Sequence, residues 1–149
     1  MEIKQTGPLK VFYRTFETTL SEINTFVGSK PKEIKKEAIE MGLEITGPQI
    51  WCYYGTDGNP KTKFKLDIAF PVKEEKKTDP GKFKILEPFT CATTRLEGSW
   101  DNLKGCYASL IGDIIRNGHT VSKTCREIYI NCDFENPDNN ITEVQVGIN

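Results

Sequence analysis

Apolar and polar residues alternate in some stretches of the chain and recur at helical spacing in others. Residues 9–16 (Leu-Lys-Val-Phe-Tyr-Arg-Thr-Phe) are rich in aromatic and β-branched side chains and predict a strand. Over residues 31–41, Ile34, Ala38 and Met41 recur at helical spacing among lysines and glutamates. Pro31 suits the first turn of such a helix and Gly42 its stop. Strands are expected over 49–54 and 64–72, joined by the turn-forming run Thr56-Asp57-Gly58-Asn59-Pro60. A charged segment at 73–82 with a Pro-Gly turn reads as a linker. Beyond it, residues 83–96 are extended, with a break at Pro88. A helix over 101–117 carries the stripe Leu103, Tyr107, Leu110, Ile111, Ile114 and Ile115, with Ser99 or Asp101 as its cap and Gly118 as its end. Strands over 125–131 and 141–148 close the chain.

The same order of elements thus occurs twice. A shift of 76 residues lays Gly42 on Gly118, Tyr53 on Tyr129, Asp67 on Glu143 and Ile68 on Val144 without a gap. Either half alone is a small sheet with one helix and leaves a sheet face bare, so pairing the halves completes a core. The expected fold is one α+β domain over 1–149. It comprises two tandem strand-helix-strand-strand repeats, about 1–72 and 83–149, related by a pseudo-twofold axis. Their sheets are antiparallel, and a ligand cleft lies between the halves.

Length and charge narrow the function. A chain of 149 residues buries about 68–70% of its unfolded surface, enough for a single core. Twenty Lys and Arg against 21 Asp and Glu give a formal charge of −1, which argues against direct nucleic-acid binding. No apolar run approaches the ~20 residues that cross a bilayer, and the first residues carry no apolar signal core, so a cytoplasmic location without membrane contact is expected. The five cysteines form no Cys-x-x-Cys pair, and His119, in a turn after Gly118, is the sole histidine. No metal site, no cofactor and no disulfide are expected, and neither a Ser-His-Asp nor a Cys-His constellation can be assembled. Phosphate-loop spacing is absent from the sequence.

Strand parity locates the candidate chemistry. Trp51 and Tyr53 share a face of one strand, and Glu127 and Tyr129 share a face of another. Ile128 and Ile130, on the other parity, are expected to face the helix. The result is a cleft lined by Trp51, Tyr53 and Tyr129 around one carboxylate. A carboxylate among aromatic rings suits a lipophilic cation, through ion pairing and cation–π attraction; the alternative is an inert Glu127 at an exposed edge. Arg126 is adjacent but points away. Trp100 reads foremost as a hydrophobic staple before its helix, and otherwise as a flap over the cleft mouth. Tyr107 in the helix stripe reads first as core and second as a ligand contact.

Several segments together resemble a known family. These are Gly47-Pro48-Gln49-Ile50-Trp51-Cys52-Tyr53-Tyr54-Gly55, Leu66-Asp67-Ile68-Ala69-Phe70-Pro71-Val72, the helix from Leu103 to Gly118, Arg126-Glu127-Ile128-Tyr129, and Thr142-Glu143-Val144-Gln145-Val146-Gly147-Ile148. Over nearly the whole chain the sequence resembles the DNA gyrase inhibitor-like (GyrI-like) effector-binding domains. The resemblance implies a ligand cleft built from two repeats. In multidrug-responsive transcription regulators of this family a central glutamate recognises cationic lipophilic drugs, and Glu127 matches it in the Glu-x-Tyr position. The ligand-binding set then comprises Trp51, Tyr53, Trp100, Tyr107, Glu127 and Tyr129. Other members hydrolyse cyclopropane-containing natural products, which casts Glu127 as the catalytic group with Tyr53 or Tyr107 assisting. Still others act as protein-binding inhibitors. No helix-turn-helix is expected before the first strand. The implied partner is a small organic ligand, with any regulator or other protein partner unspecified.

Overall fold

The computed structural model describes residues 1–76 and 79–149. The part of the expected linker at 77–78 lies outside the described residues. In chain order the elements are β1 (Glu2–Gln5), β2 (Leu9–Thr18), α1 (Ile23–Val27), α2 (Lys30–Glu40), β3 (Ile50–Tyr54), β4 (Phe64–Pro71), β5 (Phe83–Leu86), β6 (Thr90–Glu97), α3 (Leu103–Arg116), β7 (Val121–Asn131) and β8 (Ile141–Ile148). Pro31 sits in the first turn of α2. Gly42 (φ 76°) and Gly118 (φ 82°) end α2 and α3 in the left-handed region, where a Cβ is costly.

The strands form one eight-stranded antiparallel sheet in the order β1-β6-β8-β7-β3-β4-β2-β5. The strands of the two halves join in one continuous sheet. β3 and β7 pair with each other, which satisfies backbone groups that two separate sheets would leave as open edges. The extended segment at 83–96 is divided at Pro88, as its sequence suggests, into β5 and β6. Its break at Pro88 lets β5 pair with β2 while β6 pairs with β1 and β8. β1 and α1 were not expected from the pattern.

The connections impose curvature. β1 and β2 stand six places apart in the sheet, and so do β5 and β6, yet only residues 6–8 and 87–89 link them. In a flat sheet that separation is about 29 Å, whereas so short a link spans about 14 Å at most. The sheet must therefore curl until its two ends approach. The links meet where Thr6 N donates to the Phe89 carbonyl (2.9 Å) and Phe89 N donates to Thr6 Oγ1 (3.0 Å). Arg126 of β7 holds the crossing from inside the curl. Its Nη2 donates to the Glu87 carbonyl at 2.9 Å, and the guanidinium lies 4.1 Å from the Phe89 ring centroid. Gly147 on β8 lies under this crossing. A Cβ there would stand 2.3 Å from Ser122 Oγ and 2.9 Å from the Thr124 carbonyl, so only glycine fits.

The helices cover the other face. Ile34 and Ala38 of α2 pack with Phe12, Tyr53, Leu66, Ile68 and Phe70, and Leu110 and Ile114 of α3 pack with Ala92, Val144 and Val146. Val11, Ile50, Cys52, Ala69 and Leu86 form the core of the helix-free face, with Ile128 packed against them. The expectation that Ile128 and Ile130 face the helix is therefore reversed. Ile128 looks into the curl and Ile130 is 43% exposed, because the Glu127 parity is the one the helices cover. Ile115, placed in the α3 stripe, is also solvent-exposed. All five cysteines are unpaired. No helix among the described residues is long and apolar enough to cross a membrane.

Candidate functional site

Glu127 stands on β7 directly opposite Trp51 of β3, at the middle of the sheet. Side-chain alternation on these two strands puts Trp51, Tyr53, Glu127 and Tyr129 on the helix-bearing face, in the seam between the α2 and α3 clusters. Glu127 is not at an exposed edge: only 3% of its surface reaches solvent.

Three tyrosine hydroxyls donate to its carboxylate. Tyr53 (2.9 Å) and Tyr129 (2.5 Å) donate to Oε1, and Tyr107 of α3 donates to Oε2 (2.5 Å). Tyr107 thus belongs to the site by its hydroxyl, while its ring packs against the α3 core cluster. The strand parity that predicts the other two says nothing about a helix side chain reaching over the sheet.

Burial pushes the Glu127 carboxyl above the usual range, and the three phenolic donors pull it back only in part. Burial first, and then the neighbouring carboxylate, raise Tyr107 and Tyr129 well above an ordinary phenol, and Tyr53 likewise. All three therefore remain donors at neutral pH. No Lys or Arg among the described residues forms an ion pair with Glu127. Its neighbour Arg126 points into the curl on the opposite face, as parity requires.

Aromatic rings close the outer side. Tyr129 lies edge-on between Trp51 (centroids 5.4 Å apart) and Trp100 (5.7 Å). Trp51 Nε1 donates to Gln49 Oε1 at 2.5 Å, and Trp100 Nε1 donates to Thr142 Oγ1 at 3.0 Å. These contacts correct the staple expectation for Trp100: the ring faces Tyr129. Ser99 caps the 3-10 turn Trp100–Asn102 that leads into α3, its Oγ accepting from Asp101 N, while α3 itself, with Asn102 at its N-cap, has no side-chain cap. Phe134, from the turn between β7 and β8, stacks edge-on against Trp100 at 5.7 Å and was not anticipated. A lone aromatic among Asn, Asp and Pro was its sequence signal.

The three tyrosines that bond the carboxylate cover it, so Glu127 is buried while Trp51, Trp100, Tyr107 and Tyr129 remain partly exposed. A groove of about 500 Å³ lies on the far side of α3, between Thr94 and Leu96 of β6 and Gly105, Cys106 and Ser109, and does not include Glu127. Among the described residues no cluster of His, Cys, Asp and Glu could hold a metal ion.

Comparison with known proteins places this geometry. A comparison with curated proteins gave no match. Among solved structures, the EcmrR C-terminal domain is similar with a TM-score of 0.80 at 20% identity, over 99% of this chain and 96% of that one. In the EcmrR–DNA complex the TM-score is 0.81 at 19% identity, and the match covers 99% of this chain but 56% of EcmrR, so this chain spans little more than half of that protein. SAV2435 bound to tetraphenylphosphonium gives 0.67 at 11% identity, over 99% and 93% of the two chains. A hydrolase encoded by lin2189 from Listeria innocua gives 0.58 at 13% identity, over 99% and 91%. At these identities the likeness is one of fold. The family model for the GyrI-like small molecule binding domain matches residues 1–149, and the chain belongs to that family.

Proposed function

We propose that this chain is a receptor for lipophilic organic cations, which bind against Glu127 among Trp51, Tyr53, Trp100, Tyr107 and Tyr129. The observation that carries the reading is a carboxylate 3% exposed, held by three neutral phenols and by no basic side chain among the described residues. Burying a charge without a counter-charge is costly. An incoming cation supplies the missing charge, while the aromatic rings offer it their electron-rich faces. Tyr129 stands between the two tryptophans and bonds the carboxylate, so a ligand that reaches Glu127 has to displace it. The binding of tetraphenylphosphonium by SAV2435, a protein of the same fold, supports the ligand class.

Calorimetric titration of tetraphenylphosphonium into wild type and Glu127→Gln tests the reading. The variant keeps the shape and removes the charge, so the attraction between phosphonium and carboxylate is lost and affinity falls by about 2–4 kcal/mol, the range for unit charges roughly 4–8 Å apart at an effective dielectric of about 20. Equal binding by both proteins rejects the receptor.

A second reading, small-molecule hydrolysis, draws on the raised pKa of Glu127. A carboxyl raised above its usual range by burial is a stronger base once ionised and can activate water, while Tyr53 and Tyr107, held protonated, donate to the developing oxyanion. Turnover of a cyclopropane-bearing electrophile that is lost in Glu127→Gln would establish it. Saturable binding of cations without turnover favours the receptor.

A further inference from the structure

Phe134 is 76% exposed, more than any other large apolar residue among those described, yet it does not hang loose. Its turn is braced by Asp133. One carboxylate oxygen of Asp133 accepts from Glu135 N (3.1 Å) and Asn136 N (2.9 Å), and the other accepts from Asn139 Nδ2 (3.1 Å). The brace is anchored in turn by Asn140, which is 1% exposed. Its side-chain Oδ1 accepts from Asp133 N at 2.6 Å, and its carbonyl accepts from Gly98 N at 2.8 Å, two residues before Trp100. One buried residue therefore fixes both the turn that presents Phe134 and the segment that presents Trp100.

The consequence is an ordered run of rings from the middle of the sheet to solvent. Trp51, Tyr129, Trp100 and Phe134 follow one another with centroid separations of 5.4, 5.7 and 5.7 Å, each pair edge-to-face. The outer end is acidic. Asp133 and Glu135 flank Phe134, Asp138 shares its turn, and hydrogen bonds hold the Asp133 carboxyl below its usual range, so it stays charged. The exposed ring is thus held at the outer end of the run by the braced turn rather than left loose.

We infer that Phe134 is a specificity-determining residue of the Glu127 site, forming with Trp100 an outer aromatic surface that selects multi-ring cations over aliphatic cations of the same charge. This rests on the receptor reading given above. Glu127 recognises the charge at the inner end, and Phe134 receives a ring of the same ligand that extends outward. Asn140 is a positioning residue, acting only through the two segments it joins.

The test compares tetraphenylphosphonium with tetrabutylphosphonium, which carries the same charge and no rings, on wild type, Phe134→Ala, Phe134→Trp and Glu127→Gln. An aromatic contact predicts that Phe134→Ala weakens tetraphenylphosphonium by about three- to tenfold and tetrabutylphosphonium by less than about twofold, with the melting temperature unchanged. Phe134→Trp restores the preference, which a merely structural role would not. Equal affinities in Phe134→Ala and wild type, with Glu127→Gln still losing both ligands, overturn the role of Phe134 and leave the receptor standing. A uniform loss for both ligands in Phe134→Ala also overturns selection by rings. If wild type binds neither cation, the receptor reading and this inference fall together.

Discussion

Trp51 and Glu127 are direct cross-strand partners on the β3–β7 ladder, where the two halves of the sheet join. The 76-residue shift in the sequence relates the same two positions. The strand order also reads identically from either edge when β1–β4 are matched to β5–β8. A twofold axis between the halves, proposed from the sequence, would pass between these two side chains. It would leave one aromatic and one acid at equivalent places, so the site is asymmetric even on a symmetric frame. Superposing 1–72 on 83–149 should lay Tyr53 on Tyr129, and unrelated positions for the two tyrosines would reject duplication.

Glu127→Gln should not destabilise the protein near neutral pH. The folded-state pKa of Glu127 is raised above that of the unfolded chain, because burial outweighs the tyrosine donors. The ionised form therefore costs stability. That cost is absent below the unfolded value of about 4.3 and grows as the pH rises through the folded value. Melting temperatures of wild type and variant are expected to coincide near pH 4, with the variant equal or higher at pH 8. A variant that melts well below wild type at pH 8 contradicts this balance.

Tyr107→Phe removes one donor without changing the ring. On the alkaline side of the Glu127 titration the lost bond is to a carboxylate and should cost about 1.5–3 kcal/mol, whereas with the acid protonated near pH 4 the loss should be about 0.5–1.5 kcal/mol. Urea unfolding at the two pH values reads the difference directly. A pH-independent loss would mean that the hydroxyl contributes packing alone.

Arg126→Ala should weaken the fold and spare the ligand site. The guanidinium bonds the Glu87 carbonyl and stacks on Phe89 at the crossing of the two short links, on the face opposite Glu127. Losing a charge-assisted hydrogen bond and a cation–π contact together should cost about 2–4 kcal/mol. Below the melting transition, affinity for tetraphenylphosphonium should remain within about twofold of wild type, since the Arg126 side chain lies on the opposite face of the strand from Glu127 and shares no partner with it. A large loss of affinity in folded protein would show that the crossing shapes the site.

Thiol labelling should follow exposure. Cys132 is exposed, while Cys52 and Cys91 are buried, and burial pushes the thiols of Cys52 and Cys125 up to about 11. Since the thiolate is the reactive form, alkylation of native protein at pH 7.5 should modify Cys132 first and leave Cys52 and Cys91 intact until denaturation. All five should label in denatured protein without reductant, and any thiol left unlabelled would indicate a disulfide.

Local chemistry alone was enough for much of this molecule. Alternation over 49–54 and 125–131 determined that Trp51 and Tyr53 share a face, as do Glu127 and Tyr129, because side-chain direction on a strand depends only on parity. Helical spacing with Pro31, Gly42 and Gly118 determined where α2 and α3 run, since those signals act within a turn of the chain. What parity does not carry is which face the helices cover, so Ile128 was assigned to the wrong side. Nor does it carry curvature. The curl of the sheet follows from strand order combined with two three-residue links, and the order is a non-local property of the whole chain. The third hydroxyl on Glu127 and the turn of Trp100 and Phe134 toward Tyr129 were likewise decided only in three dimensions. Each joins residues from different elements, and such contacts exist only once the core has set the distance between those elements.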